Sequence, residues 1–443
     1  MKKRVYLRFI STIAMLASMI SIAFGAASTT AQAAALPYSP HPVQVNPVIL
    51  KTGQGNAQYQ FACQAPTAAV RCYSPQQIRA AYSIQPVLNK GITGKGSTIV
   101  IVDAYQSPTV QQDLDKFDTT FGLASTTVNI IAPDGLTPFD SADPNQLGWA
   151  EEISLDVQWS HAVAPGATID LVLAKSNQDA DLLSVTKYAV EHSLGDVISQ
   201  SFGEAESCAD PKLLVAEHKV FEAAALKHIT VFASSGDQGA AQPTCDNSSY
   251  ILSASTPASD PLVTGVGGTH LDADATTGKY IGETVWNDAF GASGGGYSTI
   301  YKRPFYQLGT VKSQWRGVPD VSYSADVNGG VLTVLGFLGT NSGIYIFGGT
   351  SAGSPQWAAI TALAVQKVHH RVGFINPILY AIGHSRDAYQ DKFHDIVSGN
   401  NTFVGTDASG NPVTITGYSA GKGWDATTGW GSPIVSQLLS FGW

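Results

Sequence analysis

The sequence predicts an α/β fold, a single large domain built on a parallel β-sheet with helices on both faces. Its strand candidates are continuous apolar runs, as in "STIVIVDA" (Ser97–Ala104), rather than alternating ones. Strands covered on both faces read this way. Strand and helix patterns then alternate in the order βαβα, which favours parallel pairing with right-handed crossovers. A chain of 443 residues that is 44% hydrophobic has enough apolar surface for a sizeable core.

Residues 34–74 are rich in Pro, Ala and Gln and show little periodicity, so they read as an extended N-terminal segment. "YSPQQIRAAYSI" (Tyr73–Ile84) opens a helix, with Ser74 as N-cap and Pro75 at the first helical position. The strand Ser97–Ala104 follows. Gly148–Ala164 has helical periodicity, Thr168–Ala174 is a strand and Asp179–Ser193 a helix. Asp196–Gly203, Ala216–His228 and Ile229–Asp237 repeat the pattern, and Gly349–Val368 is a long helix entered from a glycine turn. In such sheets the chemistry sits at the carboxyl ends of the strands.

Charged residues make up 13% of the chain, about half the usual ~25%. A surface with few ionisable groups changes little in acid. The net charge of −9 gives a nucleic-acid partner no electrostatic support. Residues 1–33 read as a secretory signal: Lys2, Lys3, Arg4 and Arg8 precede the apolar stretch Phe9–Phe24, and a small-residue cleavage site lies at Ala31-Gln32-Ala33. No other segment is apolar enough to span a membrane, so the expectation is a secreted protein free of the membrane once the signal is cut. In an exported chain the cysteines Cys63, Cys72, Cys208 and Cys245 favour disulfides. Three connectivities are open, and proximity favours Cys63–Cys72 with Cys208–Cys245.

Polar clusters fall at places suited to chemistry. In "GGTSAGSPQWAAITAL" (Gly348–Leu363), Ser351 sits where a glycine turn opens into a helix, whose dipole favours developing negative charge. Read alone, the stretch equally fits an ordinary N-cap. In "EEISLDVQWSHAVAPGA" (Glu151–Ala167), Glu152 and Asp156 are four apart and share a helix face. Carboxylates so close repel, and one tends to hold a proton. Such a pair can serve as a general base with an orienting partner, although a solvated pair is the commoner meaning of this spacing. Glu151 lies off that face and reads as surface. In "ASSGDQG" (Ala233–Gly239), Asp237 follows a strand; it is either turn chemistry or, when protonated, a donor to an oxyanion. His161, five residues after Asp156, should point elsewhere, and His369 and His370 sit at the far end of the serine helix, so no histidine has the setting of a serine-protease base.

Together these clusters resemble the sedolisin family, serine-carboxyl peptidases with a subtilisin-like fold. "GGTSAGSP" is similar to the family's serine motif, with Gly348 where many members have serine; the Glu-xxx-Asp helix followed by Ala-Pro-Gly-Ala and the "SSGDQG" loop also match. "SGGGYSTIYKRPFYQ" (Ser293–Gln307) and "RGVPDVSYSADVNGG" (Arg316–Gly330) extend the likeness, which covers roughly residues 73–443. The resemblance implies an acid-active endopeptidase acting on proteins or peptides through an acyl-enzyme, and a monomer is expected. Ser351 would be the nucleophile, Glu152 the base, Asp156 its orienting partner and Asp237 the oxyanion donor. Glutamate, with a reference pKa near ~4.3, suits a base working in acid. It further implies one structural Ca²⁺, with carboxylate oxygens from Asp395 and Asp425 and backbone carbonyls from Ile396, Gly421 and Gly423, a hard-oxygen set suited to that ion. "SQSFGE" (Ser199–Glu204) resembles the strand that pairs with substrate, with Ser201 and Gly203 as contacts. Family precursors carry a large prodomain, whereas here only residues 34–74 separate the expected signal from the domain.

Two rivals are weighed. A subtilisin-type Ser-His-Asp peptidase would use Asp103, but the helix that should carry its histidine carries Glu152 and Asp156. An inactive, secreted peptide-binding relative would not need all four catalytic positions filled.

Overall fold

The computed structural model describes residues 60–443 and two short strands before them, His41–Pro42 and Val48–Ile49. The expected signal, residues 1–33, and the rest of the segment up to residue 59 lie outside the described residues. Residues from Pro37 to Trp443 group as one compact unit.

The first helix, α1 (Pro75–Ala81), starts as its sequence predicts: the Ser74 side chain accepts from the Gln77 backbone and Gln77 returns the bond, a capping box with Pro75 behind it. The central eight-stranded sheet comprises β1 (Thr98–Ala104), β2 (Val128–Ile131), β3 (Thr168–Ala174), β4 (Val197–Gln200), β5 (Thr230–Ser234), β6 (Thr264–Ala273), β7 (Tyr280–Val285) and β8 (Val321–Ser324). Across the sheet the order is β7-β6-β5-β4-β1-β3-β2, with β8 also pairing β6. All pairs are parallel except β6–β7. Winding runs from β1 to β3 on one side and resumes with β4 on the other. The crevice at the carboxyl ends of β1 and β4 is therefore where a ligand site is expected.

Four helices after α1 frame the site: α2 (Val110–Phe121), α3 (Pro144–Val163), α4 (Asp179–Glu191) and α5 (Pro211–Leu226). The long helix α6 (Gly353–Val368) follows the serine turn. Strand β1 shows why its sequence is continuously apolar. Ile99 and Ile101 join the core formed with α3 and α6, including Ile153, Trp159 and Trp357. Val100, Val102 and Ala104 join a separate core under α4 and α5, including Leu182, Val185 and Phe221.

Helix α3 is buried from Trp149 to Val163, apart from the half-buried Glu151. It is held by β1, by α6 and by the hairpin of Gly330–Leu335 and Gly343–Phe347. The Gln158 side chain bridges to both backbone groups of Val334, and the Trp159 indole donates to the Leu332 carbonyl at 3.0 Å. A helix enclosed on every side can carry ionisable groups into the interior.

Some elements depart from the sequence reading. The predicted strand Asp196–Gly203 breaks at Ser201 into β4 and a separate strand, Phe202–Ala205. Helix α5 begins at Pro211 rather than Ala216, because Asp210 caps it and accepts from Lys212. The cysteines pair as Cys63–Cys72 and Cys208–Cys245. Among the described residues no helix is long and apolar enough to cross a membrane.

Candidate active site

Ser351 reaches the crevice because two glycines turn the chain sharply after the hairpin. A Cβ on Gly348 would lie 2.4 Å from the Ala325 carbonyl oxygen, so this position has no room for a serine. Gly349 has φ 99° and ψ 156°, a conformation essentially restricted to glycine, and its N–H donates to the Ala325 carbonyl. A short 3₁₀ turn, Thr350–Ala352, then feeds α6.

Glu152 and Asp156, on one face of α3, are fully buried, as are Asp103 near the end of β1 and Ser351 itself. The Ser351 hydroxyl donates to the Ser201 carbonyl at 3.4 Å and also faces the Glu152 carboxyl, where it favours the ionised form. The Ser201 hydroxyl donates to Asp156 Oδ1 at 3.0 Å. Burial, and then the neighbouring Asp156 and Asp103 charges, hold Glu152 well above the usual carboxylate range. Burial, followed by Asp103, does the same to Asp156, while hydrogen bonds from Ser201 and with Glu152 oppose it. Burial pushes Asp103 up to about 8, and neither of its carboxyl oxygens has a hydrogen-bond partner among the described residues. These carboxyls cannot all be charged together in so dry a place, so they share protons as a group.

Asp237, after β5, completes the arrangement. Its Oδ1 accepts from the Thr350 N–H at 2.8 Å and the Thr350 hydroxyl at 2.9 Å. Oδ2 has no partner among the described residues, and burial lifts the group to about 7. Thr350 thus fixes one oxygen and leaves the other to carry a proton.

The four predicted residues therefore come to one crevice. His161 turns away to Asp118 at 3.1 Å and the Ala124 carbonyl at 2.8 Å, as its spacing implies. One expectation fails: Glu151 is not a surface residue. It is half-buried, within electrostatic reach of Tyr345, and burial raises its carboxyl to about 7. The enclosure of α3 by the hairpin, invisible in local spacing, is the reason. Sequence reasoning also missed Thr350 as the clamp on Asp237, although it stands beside Ser351 in the same motif.

The strand Phe202–Ala205 leaves the crevice next to Ser351. One of its edges pairs antiparallel with His41–Pro42, with His41 opposite Gly203 and Pro42 opposite Phe202. The other edge pairs with Ser255–Thr256. Farther off, Asp395 and Asp425 converge on one glycine loop: Gly423 N–H donates to Asp395 at 3.1 Å and Gly421 N–H to Asp425 at 3.0 Å. Among the described residues no three acidic, His or Cys side chains could hold a metal, so a cation here would depend on backbone carbonyls as well. Those of Ile396, Gly421 and Gly423 accept no backbone hydrogen bond among the described residues.

No protein-family model matches the chain. The fold is similar to the solved structure of Pseudomonas sedolisin, a serine-carboxyl proteinase, in complex with two molecules of pseudo-iodotyrostatin. The TM-score is 0.70 at 30% identity, over 84% of this chain and 98% of that one. The chain belongs to the sedolisin family. This sedolisin-family chain is also 33% identical over 398 residues to kumamolisin from Bacillus sp. (strain MN-32), covering 86% of this chain and 66% of that one. It is 28% identical over 400 residues to tripeptidyl-peptidase 1 from Dictyostelium discoideum, covering 83% and 58%. The chain thus spans less than two thirds of these curated relatives' lengths.

Proposed function

We propose that this protein is a secreted, acid-active endopeptidase that cleaves proteins or peptides through Ser351. The observation that carries the reading is the Ser351 hydroxyl facing Glu152 inside a buried carboxyl group of Glu152, Asp156 and Asp103. In the reaction, Glu152 takes the hydroxyl proton as Oγ bonds to the carbonyl carbon. Asp156 holds Glu152 in place and spreads its charge. The protonated Oδ2 of Asp237 donates to the carbonyl oxygen as that oxygen becomes an oxyanion. Glu152 then passes its proton to the leaving amine. Water, deprotonated by the same carboxylate, releases the acyl group from Ser351.

The electrostatics set the pH window. Asp237, lifted to about 7, donates only below that value. The base requires one proton lost from the buried group, whose first ionisation sets the acid limb. Asp237 thereby sets the alkaline limit of the window. An internal cleavage site is read from an extended peptide adding as a strand along Phe202–Ala205 in place of His41–Pro42.

We also assign a structural Ca²⁺ to Asp395, Asp425 and the carbonyls of Ile396, Gly421 and Gly423. Two carboxylates that converge on one glycine loop form a hard-oxygen set. The ion would pin the loop.

The test is hydrolysis of a denatured protein across about pH 2 to 8, with Ser351→Ala beside the unaltered chain. A bell-shaped profile with its alkaline limb near 7, and a loss of more than about a thousandfold in the variant, are expected. An alkaline optimum, or activity surviving in Ser351→Ala, would sink the reading.

A further inference from the structure

Asp237 is held by a second segment as well as by Thr350. Residues 292–294 run alongside the turn that leaves β5. The Ala292 N–H donates to the Asp237 carbonyl at 2.9 Å and the Gly294 N–H to the Gly236 carbonyl at 2.7 Å. The Ser235 hydroxyl donates to the Gly294 carbonyl at 2.7 Å. A Cβ on Gly294 would lie 2.0 Å from the Ser235 carbonyl oxygen, so the approach requires glycine. Thr350 thus grips the Asp237 carboxyl, and residues 292–294 grip the backbone that carries it.

The side chain at the centre of this segment bonds elsewhere. Ser293 is fully buried; its hydroxyl accepts from the Gly268 N–H of β6 at 2.8 Å and donates to the Thr427 carbonyl at 2.7 Å. A hydroxyl can serve a buried donor and a buried acceptor at once, and alanine would leave both without that partner. Thr427 in turn donates to Asp425 from its N–H at 2.9 Å and its hydroxyl at 2.6 Å. Ser293 therefore joins β6 and the loop of Asp425 to the turn that carries Asp237.

We propose that Ser293 is a positioning residue for the reaction. It fixes residues 292–294 on β6 and on the Asp425 loop, and through them holds the Asp237 carboxyl where the oxyanion forms. The assignment rests on Asp237 as the oxyanion donor. Such a donor acts only at hydrogen-bond distance from the developing charge. A misplacement of about 1 Å can cost on the order of a hundredfold in rate. The substrate edge is a different segment, Phe202–Ala205, so the loss should fall on kcat rather than on KM.

The test is a double-mutant cycle on the full chain, read as kcat and KM in acid on a peptide spanning a mapped cleavage site, with Ser351→Ala as the blank. Ser293→Ala should lower kcat at least about tenfold and leave KM within about twofold. Asp237→Ala should lower kcat on the order of a hundredfold or more. In the double variant the Ser293 change should cost less than about twofold further, because the group it positions is gone. A general loosening of the site would lower kcat by the same factor in both backgrounds, and that result overturns the proposal. So does an unchanged kcat in Ser293→Ala, or a loss that appears in KM. Ser235→Ala removes the side-chain bond from the turn to Gly294 and takes its place in the cycle if Ser293→Ala fails to fold. Full activity in Asp237→Ala, or an inactive parent chain, rejects the proposed reaction and Ser293 with it. Equal losses beside an active parent and a weakened Asp237→Ala reject Ser293 alone.

Discussion

Asp237 shows how one side chain can set a pH limit. Thr350 holds one of its oxygens from two donors, so the proton has to reside on the other. Replacing the group by asparagine leaves an N–H donor at that position that does not titrate. Asp237→Asn should therefore retain activity above pH 7, where the parent loses its donor, with a lower peak rate; kcat/KM profiles of the two proteins check this. An unmoved alkaline limb would assign that limb to another group. Asp103 has the opposite history. Its place at the end of an apolar strand was legible in the sequence. Its participation in the carboxyl group was not, because that depends on α3 packing across β1.

At the scale of elements, most of what periodicity and capping signalled is present. The α1 cap, the limits of β3 and the glycine entry to the serine helix follow local rules that a single sequence carries. What local rules do not carry is tertiary enclosure. The hairpin that packs on α3 and the hydrogen bonds of Ser201 with Asp156 and Ser351 are contacts between residues far apart along the chain. The loop of Gly421–Asp425 is an element whose stability should depend on an ion. Adding a chelator should lower the melting temperature of the parent and leave Asp425→Asn unmoved. A site held at a hundredfold excess over its Kd contributes about 2.7 kcal/mol. Identical melting of the parent with and without chelator would remove the calcium assignment.

For the whole molecule, buried acids dominate the link between pH and stability. Burial raises Asp237 and Glu151 to about 7, Asp103 and Glu217 to about 8 and Glu204 to about 9. A carboxyl raised on folding contributes stability fully below its unfolded value near ~4 and loses it as pH climbs to the folded value. His218 and His270, raised by Asp260 and Asp326, act in the same direction. Exposed loop acids such as Asp246, lowered to about 2 by Ser248 and Thr244, act the other way and matter only in stronger acid. The melting temperature should therefore be highest near pH 4 and fall steadily towards pH 9; a maximum at neutrality would contradict the burial of these groups.

The pairing of His41–Pro42 on the strand beside Ser351 has a kinetic side. A strand carried by the same chain meets this edge intramolecularly, without the cost of bringing two molecules together. For an incoming peptide the crevice edge is then a seat already taken rather than an empty groove. Ligands that bind more weakly than the tethered strand wait for it to leave, so the molecule's own N-terminal arm sets the threshold that any substrate has to exceed.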